Sequence, residues 1–248
     1  MTLNDFFTQY PRIAIAFSGG VDSTYLLYAA KRYAQSVQAY YVKSDFQPQF
    51  ELEDALRAAR EIGAEMKVLH VDVLADADVI ANPPNRCYFC KHRIFETIRR
   101  QAAADGYSVL LDGTNASDDI ADRPGVRALA ELSVLSPLRM CNLTKDEIRR
   151  RSREAGLFTW DKPAYACLAT RIYAGDAITK EKLMATERAE GYLFSLGFRD
   201  FRVRRMGDAA RLQLSADQID MAIANREDIL SALKKDYSAV LLDLEVRK

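Results

Sequence analysis

The chain has 248 residues, enough for one sizeable core and a smaller appended unit. Its 35 Lys and Arg balance 35 Asp and Glu, so there is no net field to hold a long polyanion, and no nucleic-acid partner is expected. The apolar runs are strand-sized, and residues 1–12 carry neither a basic start nor an apolar signal core, so the expectation is a cytoplasmic protein with no membrane partner. Four cysteines are too few for a disulfide scaffold and point to metal or sulfur chemistry.

Residues 13–17 form an apolar run suited to a strand buried on both faces, followed by a Gly-rich turn and an amphipathic stretch over 25–33. Residues 37–42 supply a second strand. Leu52, Ala55, Leu56, Ala59 and Ile62 then recur at helical spacing until Gly63 stops them. Residues 66–73 read as a third strand, a helix starts near Tyr88 and ends before Gly106, and 109–111 and 134–135 add further strands. Thr144 and Glu147 form a capping box opening a helix that Gly156 closes. Strands alternating with helices predict an α/β fold, a doubly wound parallel sheet that binds ligands beyond the carboxyl ends of its strands. The alternation breaks near Trp160 and divides the chain into domains 1–160 and 161–248. The second reads as a small α+β unit, with a helix over 180–196, a basic strand over 201–205, a strand over 210–214, a helix over 216–233 and a strand over 239–246.

At the first strand-to-helix turn lies Ser18-Gly19-Gly20-Val21-Asp22-Ser23. The glycines permit a sharp turn, and the helix that follows offers unpaired amides and a positive dipole end to a phosphate. The hydroxyls of Ser18, Ser23 and Thr24 supplement those amides, and Asp22 is placed to hold Mg²⁺ on a pyrophosphate. No lysine precedes Ser23, so this is not a Walker loop. Two glycines alone serve an ordinary turn equally well; the whole string carries the reading.

Cys87 and Cys90 make a CxxC at a helix start, where the dipole, Arg86 and Lys91 favour thiolates. Sulfur transfer, a redox dithiol or a zinc site using His92 all fit that pair. Cys167 falls where the second unit begins, a place at which a cleft is expected. Cys141 has no partner at metal-ligand spacing and reads as a small buried hydrophobe. Arg202 and Arg204 alternate on one strand face, suited to gripping a phosphate, or else to lying in solvent. His70 reads as a packed strand residue, His92 as part of an exposed helical turn, and Asp220 as a surface charge.

SGGVDST after an apolar strand resembles the PP-loop of the ATP pyrophosphatase superfamily, which includes GMP synthetase, NAD synthetase and tRNA thiolases. Such proteins activate a carbonyl or carboxylate as its adenylate and release pyrophosphate. The resemblance implies that Ser44, Thr114, Asn115 and Asp118 lie around the adenosine; from composition alone, Asn115 is a turn former and Asp118 a helix cap. The PP-loop, RCYFCK, LTKDEIR, KPAYACLATRI, the spacing around Glu190 and RVRRMGDAARL together resemble the LarE family across nearly the whole chain. LarE proteins are ATP-dependent sulfur transferases of nickel-pincer nucleotide biosynthesis.

That resemblance implies adenylation of pyridinium-3,5-biscarboxylic acid mononucleotide and conversion of each carboxylate to a thiocarboxylate. It implies that Thr170, Arg171, Glu190, Arg202 and Arg204 serve the substrate. In some members Cys167 would give up its own sulfur and be left as dehydroalanine. In members with the extra CxxC, Cys87, Cys90 and Cys167 would hold a [4Fe-4S] cluster whose fourth iron binds sulfide, and this is the expected form. The expected cofactors are thus ATP, Mg²⁺ and the [4Fe-4S] cluster, in a homo-oligomer built from trimers, with an external sulfide donor that the residues do not identify. The rival readings are a PP-loop tRNA thiolase, an amide-forming PP-loop ligase with a zinc-bound CxxC, and a nucleotide-binding sensor without turnover.

Overall fold

The computed structural model describes residues 1–119 and 124–247. The chain divides into two compact units, one made of Met1–Val73 with Asn85–Lys162 and the other of Leu74–Pro84 with Pro163–Lys248.

The first unit opens with α1 (Leu3–Gln9), which the sequence reading leaves unassigned. Thr2 Oγ1 accepts from Asp5 N while Asp5 accepts from Thr2 N, a capping box with Asp in the place of the more familiar Glu or Gln. Phe6 and Phe7 are fully buried and anchor the helix on the core. β1 (Arg12–Ala16), α2 (Val21–Tyr33), β2 (Ser36–Lys43), α3 (Gln49–Ile62) and β3 (Met66–His70) follow. α4 (Ala77–Ile80) belongs to the second unit, and the chain returns to the first with α5 (Arg86–Ala104), β4 (Leu110–Leu111), α6 (Pro124–Glu131), α7 (Pro137–Met140) and α8 (Lys145–Glu154).

The four strands form one parallel sheet in the order β3-β2-β1-β4, with Ile15 opposite Ala39 on one side and Leu111 on the other. Ile13, Ala14 and Ile15 are fully buried, as a central parallel strand requires, and each large apolar side chain so placed contributes roughly 1.5–3 kcal/mol of burial. Gly63 ends α3 at φ 68°, a left-handed cap that favours glycine. Lys162, the last residue of this unit, is held by Asp54 at 2.7 Å and Glu51 at 3.0 Å.

Several expectations are corrected here. The strand expected at 134–135 is reduced to a single parallel bridge, Leu135 opposite Leu111, with Leu135 exchanging hydrogen bonds with Leu110 and Asp112, and Pro137, which has no N–H to donate, then opens α7. β3 stops at His70, which is exposed at the end of an edge strand rather than packed. The capping box at Thr144 is half formed: Thr144 Oγ1 accepts from Glu147 N, whereas the Glu147 carboxylate pairs with Arg150 and Arg151.

In the second unit, α9 (Lys180–Ser195) packs with a sheet ordered β5 (Arg202–Met206), β6 (Ala209–Gln213), β7 (Ala239–Leu242). β5 and β6 are antiparallel and β6 and β7 parallel, so this sheet is mixed. The single helix expected over 216–233 is corrected to a short 3-10 turn, α10 (Ile219–Ala224) and α11 (Arg226–Leu233). Asn225 makes the break, its side-chain amide turned back onto Met221 O at 2.8 Å, a local bond that competes with helix continuation. Asn82, 2% exposed and at φ 52°, ties α4 to this unit by donating to Tyr173 O and Asp176 O. Among the described residues no helix is long and apolar enough to cross a membrane.

Candidate active site

With β2 and β3 on one side of β1 and β4 on the other, the sheet reverses its strand order between β1 and β4. The carboxyl ends of these two strands, at that reversal, are the usual ligand position in a parallel sheet. A cavity of about 500 Å³ lies there, within the roughly 300–1,000 Å³ of small-molecule sites. Ser18, Gly20, Asp22 and Ser23 line it from the first loop, Asp112, Gly113, Thr114, Asp118 and Asp119 from the second, and Cys87, Lys91 and Phe95 from α5.

The first loop is shaped by steric demands. Gly19 lies at φ 73°, and a Cβ there would come within 2.9 Å of the Ala55 Cα, so any side chain would collide with backbone. Gly20 caps α2 without a side-chain hydrogen bond, leaving the first-turn amides to an anion. Ser23 Oγ accepts from Ser18 N, lies 3.0 Å from Ser18 Oγ and donates to Gly20 O, which closes the loop. Thr24 is 1% exposed and Ser44 is buried; neither lines the cavity. Ser44 Oγ donates to Gln47 Oε1 and accepts from Phe46 N, shaping the turn into α3.

The second loop is pinned against the first. A Cβ on Gly113 would sit 3.0 Å from Ser23 N, so the two loops are in contact. Asp112 accepts from Thr114 Oγ1 and from Ser136 Oγ, Asn115 N donates to Asp118 Oδ2 at 2.9 Å, and Arg139 donates to the carbonyls of Asn115 and Asp118. Asn115 also donates to Asp22, whose other oxygen pairs with Lys145 Nζ at 2.5 Å. Burial pushes the Asp22 carboxyl up and Lys145 opposes that push. Oxygen donors on Asp22 and Asp118 fit a hard divalent cation.

Cys87 is exposed in the first turn of α5 and Cys90 is half-buried. Arg86 Nη2 lies 3.7 Å from Cys87 Sγ. His92 is half-buried with its ring 6.0 Å from that of Tyr88, which corrects its expected exposure. Cys141 packs against the first unit's core, where burial pushes its thiol up. None of the four cysteines forms a disulfide. Among the described residues no group of three or more His, Cys, Asp or Glu side chains surrounds a common metal position. Two cysteines on one helical turn do not complete an iron-sulfur site by themselves.

In the second unit, Cys167 caps a 3-10 turn, Leu168–Arg171. Thr170 Oγ1 donates to Cys167 O, and Arg171 donates to Ala166 O and Thr170 Oγ1. Arg171 and Glu190 form a two-point ion pair, Nε to Oε1 at 2.7 Å and Nη2 to Oε2 at 3.1 Å, with side chains 1% and 2% exposed. Tyr165 OH and Val203 N also donate to Glu190. These two charged groups thus grip the Cys167 turn from inside. Arg204 bonds to Gln213 Oε1 and Thr170 O. Arg202 is half-buried, and burial together with the charges of Arg247, Arg171 and Arg204 pushes its pKa down, a setting that an anionic group would relieve.

The structure therefore gathers most of the expected nucleotide residues, with Cys87, on one cavity, and gathers Thr170, Arg171, Glu190 and Arg204 around the Cys167 turn, with Arg202 within reach of the Arg171 charge. The sequence singles out Lys91 only as a neighbour of the CxxC, and gives no site role to Phe95, Asp112, Asp119, Lys145, Arg139 or Tyr165. The four-residue spacing of Cys87, Lys91 and Phe95 is a signal that could have exposed two of them.

The sequence profile described as asparagine synthase matches residues 9–121. An uncharacterised protein of Synechocystis is 40% identical over 249 residues, covering 98% of this chain and 92% of that protein. The pyridinium-3,5-bisthiocarboxylic acid mononucleotide synthase of Lactiplantibacillus plantarum is 31% identical over 236 residues, covering 94% of this chain and 86% of the synthase. A tRNA-specific 2-thiouridylase of Thermotoga is 24% identical, over 59% of this chain and 52% of that enzyme.

Proposed function

The chain belongs to the family of pyridinium-3,5-bisthiocarboxylic acid mononucleotide synthases, ATP-using sulfur transferases with a PP-loop domain, and from that premise we propose its substrate and the roles of its residues. It adenylates the carboxylates of pyridinium-3,5-biscarboxylic acid mononucleotide and replaces each with a thiocarboxylate for the nickel-pincer nucleotide. A carboxylate oxygen attacks the α-phosphorus of ATP, the bond to the bridging oxygen breaks, and pyrophosphate leaves with the electron pair. A sulfur nucleophile then attacks the acyl carbon and AMP departs.

The α2 amides, Ser18 and Ser23 hold the phosphates, and Asp22 holds Mg²⁺, which supplies charge neutralisation when bound. Thr114, Asn115 and Asp118 serve the nucleotide; Gly19, Thr24 and Ser44 shape the walls behind it. Arg202 and Arg204 take the phosphate of the mononucleotide, with Thr170, Arg171 and Glu190 positioning Cys167. The observation that carries the reading is Cys87, an exposed thiol on the same cavity as the phosphate loop, which an amide-forming ligase does not require.

Cys87, Cys90 and Cys167 are the proposed thiols of sulfur delivery and the proposed ligands of a [4Fe-4S] cluster in a homo-oligomer built from trimers. The CxxC at the start of α5 supports this; the alternative is donation of the Cys167 sulfur itself. Iron and acid-labile sulfide in protein purified without oxygen, compared with Cys87→Ala, decide between them: a cluster lost in the variant supports the carrier, and iron absent from both after reconstitution refutes it. The wider reading is tested by incubating the protein with ATP, Mg²⁺, sulfide and the biscarboxylate. Pyrophosphate with a thiocarboxylate product is the expected outcome. Pyrophosphate released with tRNA and not with the mononucleotide would favour a tRNA thiolase instead.

A further inference from the structure

The cavity beside the phosphate loop is lined by four carboxylates, Asp22, Asp112, Asp118 and Asp119, and among its described lining residues Lys91 is the one cation. A triphosphate entering such a place needs positive charge, and the loop, having no lysine, offers only the partial charges of its amides and helix end. Lys91 is four residues beyond Cys87 and four before Phe95, so one face of α5 presents all three to the cavity. Its path is set by α6. A Cβ on Gly125 would lie 2.8 Å from Lys91 Cδ, 3.1 Å from Cε and 3.4 Å from Nζ. The lysine stem thus occupies the space that any side chain at position 125 would fill, and Gly125 lines the same cavity.

From this geometry we infer that Lys91 is a catalytic residue that binds the β- and γ-phosphates of ATP and stabilises the pyrophosphate as it leaves. Gly125 is the positioning residue that leaves room for it. The inference rests on the adenylation reading above and adds to it the cation that the loop lacks. The pyrophosphate leaves with the electron pair of the broken bridging bond, and the positive charge of the Lys91 side chain offsets that charge.

The test is calorimetric titration of the full chain with MgATP and, separately, AMP, for wild type, Lys91→Met, Lys91→Arg and Gly125→Ala. Lys91→Met is expected to weaken MgATP binding by about 10- to 100-fold, the range for losing one charge-assisted contact, while AMP affinity stays within about two-fold of wild type. Gly125→Ala should shift MgATP in the same direction by displacing the lysine, and Lys91→Arg should recover most of the loss. Unchanged MgATP affinity in Lys91→Met, or equal losses for MgATP and AMP, overturns the inference. A wild type that binds neither nucleotide overturns the adenylation reading and the Lys91 role with it.

Discussion

Replacing Glu190 by Gln removes one charge from a pair whose side chains are 1% and 2% exposed. Glu190 accepts from Arg171 Nε, Arg171 Nη2, Val203 N and Tyr165 OH, so each carboxylate oxygen serves two donors. Gln keeps one oxygen and turns an NH₂ toward the donors of the other, so two bonds are lost and the Arg171 charge is left without its counter-ion. Two contacts to a charged group at about 1.5–3 kcal/mol each and the cost of breaking one side of a buried ion pair, about 3–5 kcal/mol, converge on a loss of about 3–5 kcal/mol. A solvent-exposed pair such as Arg57–Glu61 contributes only about 0–1 kcal/mol by comparison. Replacing both partners, Arg171→Met with Glu190→Leu, should cost less than Glu190→Gln alone, because no uncompensated charge remains buried. The assay is urea unfolding of the full chain followed by circular dichroism. A loss below about 1 kcal/mol for Glu190→Gln, or a double variant less stable than the single one, would refute the reasoning.

Lys145→Met removes the cation that opposes burial at Asp22. The carboxyl pKa then rises further, and because Mg²⁺ needs the ionised form, nucleotide affinity measured by calorimetry should begin to fall at a higher pH than in wild type. Gly19→Ala places a Cβ 2.9 Å from the Ala55 Cα at φ 73° and should cost about 1–3 kcal/mol or more. Gly207→Ala, at φ 58° with nothing within 4 Å, should cost only about 1–2 kcal/mol of backbone strain. Equal urea midpoints for these two would remove the steric argument. The Arg211 guanidinium holds the Asp243 carboxyl down at about 2, below its ordinary 3.8. Because the native value is depressed, this pair's stabilisation is complete above about pH 4 and is lost as pH falls toward 2; Asp243→Asn should flatten that part of a urea midpoint against pH curve.

What the sequence made legible was contiguous. The phosphate loop carries its glycines, hydroxyls and carboxylate within seven residues, and a strand buried on both faces, such as β1, is a plain apolar run. What escaped was assembled across the chain. Lys145 meets Asp22 at a separation of 123 positions, and Gly125 looks like a helix-weakening glycine until the Lys91 stem is seen beside it. Leu135 continues the apolar pattern of a strand but yields to Pro137 two residues on. The Asn225 break escaped because apolar residues continue on both sides of it, while the interruption shows only in the structure, in the Asn225 backbone at φ −98°, ψ 16° and its side-chain bond to Met221. Arg171 and Glu190 look like surface charges by type; their pairing in the interior is a tertiary fact.

The detour of Leu74–Pro84 into the second unit has a temporal consequence. Asn82 and the Tyr173 carbonyl that it holds are 91 positions apart, and at a synthesis rate of about 5–20 residues per second the first would leave the ribosome roughly 5–20 s before the second. Throughout that interval the amide of Asn82 must be served by water, while the rest of the first unit is still being made. The second unit is therefore sewn to the nascent chain at both ends of the wait. A fragment beginning at Pro163 would lack the Asn82 bonds to Tyr173, Gly175 and Asp176.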